Sequence, residues 1–329
     1  KASRELMQLP GGPLAMAVGF ETRKEKVSDI PDIQLQTGDT LAISAAQAFG
    51  DRRVSAAYTE FNAPITKSLE ANLALRYDKY SGNGDFAATS PKLGLRFQPT
   101  QSILVRATAS KAFRAPSLFE TSPAQQTSFT FGIQDPIKCP TFNENNPDCV
   151  VDVRRVAQGN PNLKAEKSTA YTVGLVLEPT RNATVSVDFW MIDRKDEIGA
   201  FADQLLVNLF PNDPNIVVRD QAGRISQLNQ VPVQLNKTKT HGVDLEVALR
   251  TDLGSNGRLN SKFGLSYVGS YKFTTLDDSG KPTVAEYNGT YNQPRYRTSW
   301  DFAWSRGPWA VSPGGSGVGS YQRPGLHAK

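Results

Sequence analysis

Two cysteines and two histidines are the only thiols and imidazoles in the chain. Cys139 and Cys149 end the segment Cys-Pro-Thr-Phe-Asn-Glu-Asn-Asn-Pro-Asp-Cys. A metal site there would need further ligands, and neither His241 nor His327 lies in that segment. A catalytic thiol would need a neighbouring base, which the segment also lacks. The pair therefore reads as a disulfide closing a Pro/Asn-rich loop in an oxidising compartment, the alternative being two inert reduced thiols. With so few bases and no Gly-x-Ser-x-Gly elbow, the chain is read as no enzyme and as holding no cofactor. What chemistry remains is charge. Arg76, Arg96, Arg106, Arg114, Asp188 and Glu246 interrupt otherwise apolar stretches. Ionised groups persist in such places where they face water or are paired, so these six are candidate contacts for a polar solute. Lys138, Arg154 and Arg155, in the longest polar segment, could attract an anionic ligand, a solvated loop surface being the plainer reading.

The elements that position these charges alternate with period two. Val185, Val187, Phe189 and Met191 share one face of a strand, with Thr184, Ser186 and Asp188 on the other, and Trp190 breaks the rule. Val243, Leu245, Val247 and Leu249 alternate in the same way with Gly242, Asp244, Glu246 and Ala248. So do Leu73, Leu75 and Tyr77 with Arg76 and Asp78, Leu93, Leu95 and Phe97 with Lys92 and Arg96, and Phe263, Leu265 and Tyr267 with Lys262 and Ser266. A soluble sandwich gives the same period. Several of these stretches nevertheless reach roughly ten residues, the span a tilted strand needs to cross a bilayer, against about five or six in a soluble sheet. Charged inward faces suit a wet lumen better than a dry sandwich core.

The connections point the same way. Tight turns at Pro64–Ser68, Pro99–Ser102, Pro179–Asn182, Asp252–Gly257 and Ser305–Pro308 alternate with longer polar segments. Those longer segments are Ser28–Arg52, Tyr80–Ser90, Pro116–Ala165, Arg194–Lys237 and Thr274–Asn292. An outer-membrane barrel places brief turns on one side and long loops on the other. Tyr77, Tyr80, Phe113, Tyr267 and Tyr271 suit an aromatic girdle, as do Tyr291, Tyr296, Trp300, Phe302, Trp304 and Trp309. The predicted fold is all-β: an antiparallel transmembrane β-barrel wall of about ten strands, starting at Pro13–Lys26. The last strand, after Trp309, is weakened by Pro313 and its glycines. A short helix around Leu41–Phe49 is conceivable, with loop preferred.

Composition limits the alternatives. At 39% hydrophobic, with no apolar run of about eighteen residues, the 329-residue chain is not a helical membrane protein. Lys1–Pro10 lacks the apolar core of a secretion signal. The net charge of +5 is spread without a stripe or run, so no nucleic-acid partner is expected.

Ser110-Lys111-Ala112-Phe113-Arg114-Ala115-Pro116-Ser117-Leu118-Phe119-Glu120 resembles the strand-to-loop signature of the TonB-dependent outer-membrane receptors. Gly159-Asn160-Pro161-Asn162-Leu163-Lys164-Ala165-Glu166-Lys167-Ser168 is similar to that family's return from loop to strand. Tyr171-Thr172-Val173-Gly174-Leu175, Val187-Asp188-Phe189-Trp190 and Thr240-His241-Gly242-Val243-Asp244-Leu245-Glu246 continue the likeness. The resemblance implies a 22-stranded barrel around an N-terminal plug. It implies import of a scarce ligand (siderophore, cobalamin, haem or oligosaccharide) in the outer membrane of a Gram-negative bacterium, with TonB supplying energy and lipid around the wall. Residues 1–329 would then be one partial barrel domain without plug, TonB-contacting segment or closing strands. On this view the six charged residues contact the plug or keep the lumen hydrated, in preference to touching ligand. The alternatives are a passive outer-membrane pore and a soluble carbohydrate-binding β-sandwich.

Overall fold

The alternating stretches become long antiparallel strands in the computed structural model, which describes residues 1–34, 47–143, 146, 148–277 and 279–322. The wall begins with β1 (Ala2–Leu9), β2 (Gly12–Asp29), β3 (Ala48–Pro64), β4 (Leu69–Gly82), β5 (Phe86–Thr100) and β6 (Ile103–Arg114). After β6 the chain leaves the wall through the short helix α1 (Leu118–Thr121) and strands β7 (Gln125–Gln134) and β8 (Val150–Gln158). It returns as β9 (Glu166–Thr180) and β10 (Ala183–Gly199), then leaves again through α2 (Asp203–Leu209), β11 (Val217–Arg219) and β12 (Ile225–Gln230). The rest of the wall is β13 (Val233–Asp252), β14 (Arg258–Leu276), a hairpin strand β15 (Pro282–Glu286), β16 (Tyr296–Arg306), β17 (Trp309–Val311) and β18 (Gly314–Val318).

The sheet runs β1-β2-β3-β4-β5-β6-β9-β10-β13-β14-β16, with β17 and β18 on the far side of β16. Their registers, Trp304↔Val311 and Asp301↔Gly314, form one line broken at Ser312–Pro313, where proline has no ladder donor. The wall therefore has twelve strand positions, and among the described residues its two edges do not pair with each other. Its strands are antiparallel, and the turns that join β1 to β2, β3 to β4, β5 to β6, β9 to β10, β13 to β14 and β16 to β17 all lie at one end. β10, β13 and β14 reach 17, 20 and 19 residues, well past what a bilayer requires, so they carry the loops above it.

Register fixes the faces. Ala57, Tyr77 and Thr89 form one outward row; Val105, Leu175, Val187, Leu245 and Leu265 form another. Leu73, Leu75 and Tyr77 are each 48% exposed, so this face lacks protein cover. On β4 the outward band from Leu69 to Tyr77 is nine residues, about 20 Å tall at a tilt of about 40° and about 3.4 Å per residue. A contiguous apolar face of that height belongs in lipid. The buried aliphatic core sits instead among the long loops, where Ile133, Val153, Val207, Val217, Ile225 and Leu228 pack together.

Four expectations change. β1 is a strand that period two did not reveal, because a bulge between Glu5 and Met7 shifts its alternation. Tyr80–Ser90 is mostly strand rather than loop: only Asn83–Asp85 connects β4 to β5, with Asp85 accepting from the Gly82 amide at 2.7 Å. Tyr80 and Tyr271 do not join a girdle. Tyr80 shares the inward parity of Arg76 and Asp78, is 7% exposed and stacks on Phe86 at 4.5 Å. Tyr271 lies beyond the register shift between His241 and Gly242, which reverses the parity count; its hydroxyl accepts from inward Arg194 at 3.3 Å. Of the conceivable helix at Leu41–Phe49, residues 41–46 lie outside the described residues, and Ala48 and Phe49 open β3. His327 also lies outside them.

Candidate functional site

The inward rows hold the charges, and most are matched across strands. Arg106 donates two hydrogen bonds to Asp188, at 2.8 and 2.6 Å, spanning the intervening β9. The position crossed is Gly174, register partner of both. A Cβ there would fall on Asp188 Oδ1, so only glycine lets the pair form over the strand. Arg76 binds Asp78 and Glu21, at 2.9 and 3.0 Å. Arg96 donates to Gln98 at 2.5 Å and faces Arg106 in register. Glu246 lines an inward cleft of about 420 Å³ with Arg106, Asp188, Asp244 and Arg297, and forms no ion pair among the described residues. Trp190, the exception to alternation, also faces inward, opposite Gly242. The inward rows thus hold alternating, largely paired charges in water.

The Arg106–Asp188 pair is half exposed on the arginine side. Arg106→Met is accordingly expected to lower barrel stability by less than about 1 kcal/mol. Urea titration of the refolded receptor, followed by gel migration, checks this.

Arg114 has a different place. It donates to Glu166 at 2.7 and 2.6 Å and to Glu120 at 3.1 and 3.0 Å. Glu120 closes the capping box of α1 with Ser117. Burial pushes the Glu120 carboxyl up, but Arg114 and the Ser117 amide outweigh it and hold it below the ordinary carboxylate range. The Asn160 amide donates to Glu120 O at 2.7 Å, and a Cβ on Gly159 would strike the Ser122 backbone. The two sequence motifs, at residues 110–120 and 159–168, are therefore the two feet of one long loop, locked to each other at the rim. Arg114 is their clamp.

Above the rim, β7 and β8 pair antiparallel, β8 and β12 parallel, and β11 completes a four-stranded sheet covered by α2. Cys139 and Cys149 are disulfide-bonded with Cα atoms 4.8 Å apart, within the normal range. Asp135, 1% exposed, accepts from Arg219 at 2.6 and 2.9 Å, while Arg219 also donates to the Gly223 and Pro211 carbonyls. Lys138 donates to Ala222 O at 2.9 Å, and Arg155 stands 3.9 Å from Asp203, so both tie one loop to another. Arg154 donates to Thr127 and lies in register with Phe129 on the outer face of this sheet. Phe129 and Phe131 there are 65% and 74% exposed. Period two does not single out these phenylalanines, and the one sequence signal for them is Phe-x-Phe within the longest polar segment. Serine at Cys139 is expected to destabilise this loop domain by about 2–3 kcal/mol through the ten-residue closure it removes; limited proteolysis with and without reductant measures it.

An antiparallel wall with apolar outward rows, ion-paired inward rows and all its long loops at one end is the wall of an outer-membrane β-barrel. Residues 7–326 match the family described as TonB dependent receptor-like, beta-barrel. The chain belongs to the TonB-dependent receptors, which are outer-membrane proteins of Gram-negative bacteria. It is 25% identical over 194 residues to the probable TonB-dependent siderophore receptor PirA of Acinetobacter baumannii, covering 57% of this chain and 24% of that protein. The crystal structure of PirA from Acinetobacter baumannii superposes with a TM-score of 0.64 at 18% identity, over 98% of this chain and 42% of that one. A point mutant of the ferric enterobactin receptor PfeA of Pseudomonas aeruginosa, in complex with enterobactin, gives 0.66 at 17%, over 96% and 40%. A double mutant of the Serratia marcescens hemophore receptor HasR, bound to its hemophore HasA and heme, gives 0.63 at 14%, over 96% and 50%. At these identities the structural likeness is one of fold. The chain spans about a quarter of the curated relative and under half of the two siderophore receptor structures.

Proposed function

We propose that this chain is the wall and loop segment of a receptor that imports a ferric siderophore across the outer membrane. A plug domain would lie against the inward rows, and TonB would supply the energy. The observation that carries the ligand class is the exposure of Phe129 and Phe131 on edge strand β7, with Arg154 in register with Phe129. Aromatic faces beside a guanidinium suit an anionic chelate that presents aromatic ligand groups better than a neutral sugar. The siderophore receptors among its relatives support the same choice. Arg96 and Glu246, the least committed inward charges, are the proposed plug contacts.

The test is uptake of radiolabelled ferric siderophores by iron-starved cells. Deleting the gene should abolish uptake of at least one chelate. Phe131→Ala with Arg154→Ala should reduce that uptake roughly tenfold or more, about 1.4 kcal/mol of binding. Unchanged siderophore uptake with lost uptake of haem, cobalamin or an oligosaccharide would transfer the assignment to that ligand. Solute flux that persists without TonB would favour a passive pore.

A further inference from the structure

We propose that the outward face of this wall carries a built site for a phosphate-bearing membrane lipid. It lies just above the apolar band on the long-loop side. The inference rests on the outer-membrane reading above and concerns a surface that the transport reading does not use.

Immediately above the band, the outward rows turn basic. Three register pairs set like charges directly opposite each other: Lys24↔Arg53, Lys167↔Lys195 and Lys239↔Lys272. Like charges directly opposite in a sheet repel and destabilise it, so these positions call for a counter-anion. Lys79 and Lys111 occupy the same level on β4 and β6. Carboxylates answer only part of the charge. Asp51 lies 2.9 Å from Lys24, Asp196 3.2 Å from Lys167 and Asp193 3.7 Å from Lys239. Arg53, Lys79, Lys111 and Lys195 form no ion pair among the described residues. From β2 to β14, the outward positions between this level and the short turns hold no Asp, Glu, Lys or Arg. On the strands from β2 to β14 the outward basic residues are therefore confined to the depth at which headgroup phosphates lie.

A break in the sheet supplies the cleft. The Gln98 amide donates to Ser68 O on the β4 side. Backbone amides alternate sides along a strand, so position 91, seven residues earlier, faces β6. That position is Pro91, which has no amide hydrogen. The β5–β6 ladder ends at the next residue, Lys92↔Ser110. Above it the strands part around a cleft of about 510 Å³ lined by Lys111, Lys164, Lys167 and Lys195, with Phe113 and Ala87. Below it, and sharing Lys111 and Thr169, an apolar outward groove of about 480 Å³ runs between Leu75, Leu93, Ala109 and Tyr171. A cationic cleft continuous with an apolar groove matches a phosphorylated headgroup joined to an acyl chain. A free phosphate would have no use for the groove.

The full-length receptor, extracted from outer membranes and exchanged into mild detergent, is the sample for native mass spectrometry and phosphorus analysis. Wild type should retain one phosphate-bearing lipid. Lys111→Ala with Lys167→Ala and Lys195→Ala should lower its occupancy roughly tenfold. The same three positions as arginine should keep it, and Ala109→Trp, which fills the groove, should lose it. Millimolar inorganic phosphate should neither displace the lipid nor remain bound. Equal occupancy in the alanine variant, or equal retention of a zwitterionic lipid, overturns the proposal. Heat-modifiable gel migration shows whether each variant's barrel is folded; a wild-type receptor without it would refute the barrel reading instead. The wild type alone supplies a second test. Its thermal midpoint should rise in micelles doped with the phosphate-bearing lipid, and the rise should vanish in about 1 M salt, where charges are screened beyond about 3 Å. No rise, or one indifferent to salt, also overturns the proposal.

Discussion

Arginine in place of Val187 is expected to destabilise the folded wall by about 2–4 kcal/mol, the cost of a cation at mid-bilayer on a barrel's lipid face. Val187 lies in register with Leu175 and Leu245 and is 41% exposed, with no protein to bury it. Arginine in place of Ser186, one residue earlier, should cost less than about 1 kcal/mol. Ser186 faces the aqueous cleft and is the register partner of Glu246, which would accept the new charge. Urea titrations of the receptor folded into phospholipid vesicles measure both. The contrast between adjacent residues matters more than either value, because it reports which face of β10 meets an apolar phase and which meets water.

Alanine in place of Asp135 should cost the loop domain about 3–5 kcal/mol, since it leaves the Arg219 guanidinium uncompensated in a site closed by carbonyls. Removing both partners, as Asp135→Leu with Arg219→Met, should recover most of the loss. Trypsin susceptibility of the loops in intact vesicles is the readout, with the barrel itself unchanged on gels. The pair also sets a pH dependence. Burial pushes the Asp135 carboxyl up, but Arg219 and the Ile137 and Lys138 amides outweigh it, so the net shift is downward. A depressed carboxyl stabilises the fold above its unfolded pKa, and that contribution disappears as pH falls through the lower, folded value. Protease resistance should therefore be full near neutrality and fail only below the ordinary aspartate range, roughly pH 3.9.

The wall was legible because lipid on one side and water on the other impose period two on Thr184–Met191 and its counterparts. That rule fails wherever the register slips. The bulge between Glu5 and Met7 hid β1, and the shift beside Gly242 sent Tyr271 inward against its count. The four-stranded loop sheet was not legible, since its central pairing joins Arg154 to Gln227 across two loops and no local pattern marks such a partner. The candidate charges were assigned to one face of their strands from parity alone. Their partners were not, because the Arg106–Asp188 contact requires knowing that Gly174 lies between them. The two motifs were recognisable as segments. That Arg114 binds one to the other is a property of the loop's closure, which appears only in three dimensions.

The most direct test is a cysteine scan through Thr184–Met191 in the full-length receptor, in outer-membrane vesicles. Each position would be probed with an aqueous maleimide and with a quencher dissolved in lipid. The wall described here predicts opposite alternation: Val185, Val187, Phe189 and Met191 quenched from lipid and protected from maleimide, and Thr184, Ser186 and Asp188 the reverse. Maleimide labelling at both sets of positions, or quenching without alternation, would contradict it.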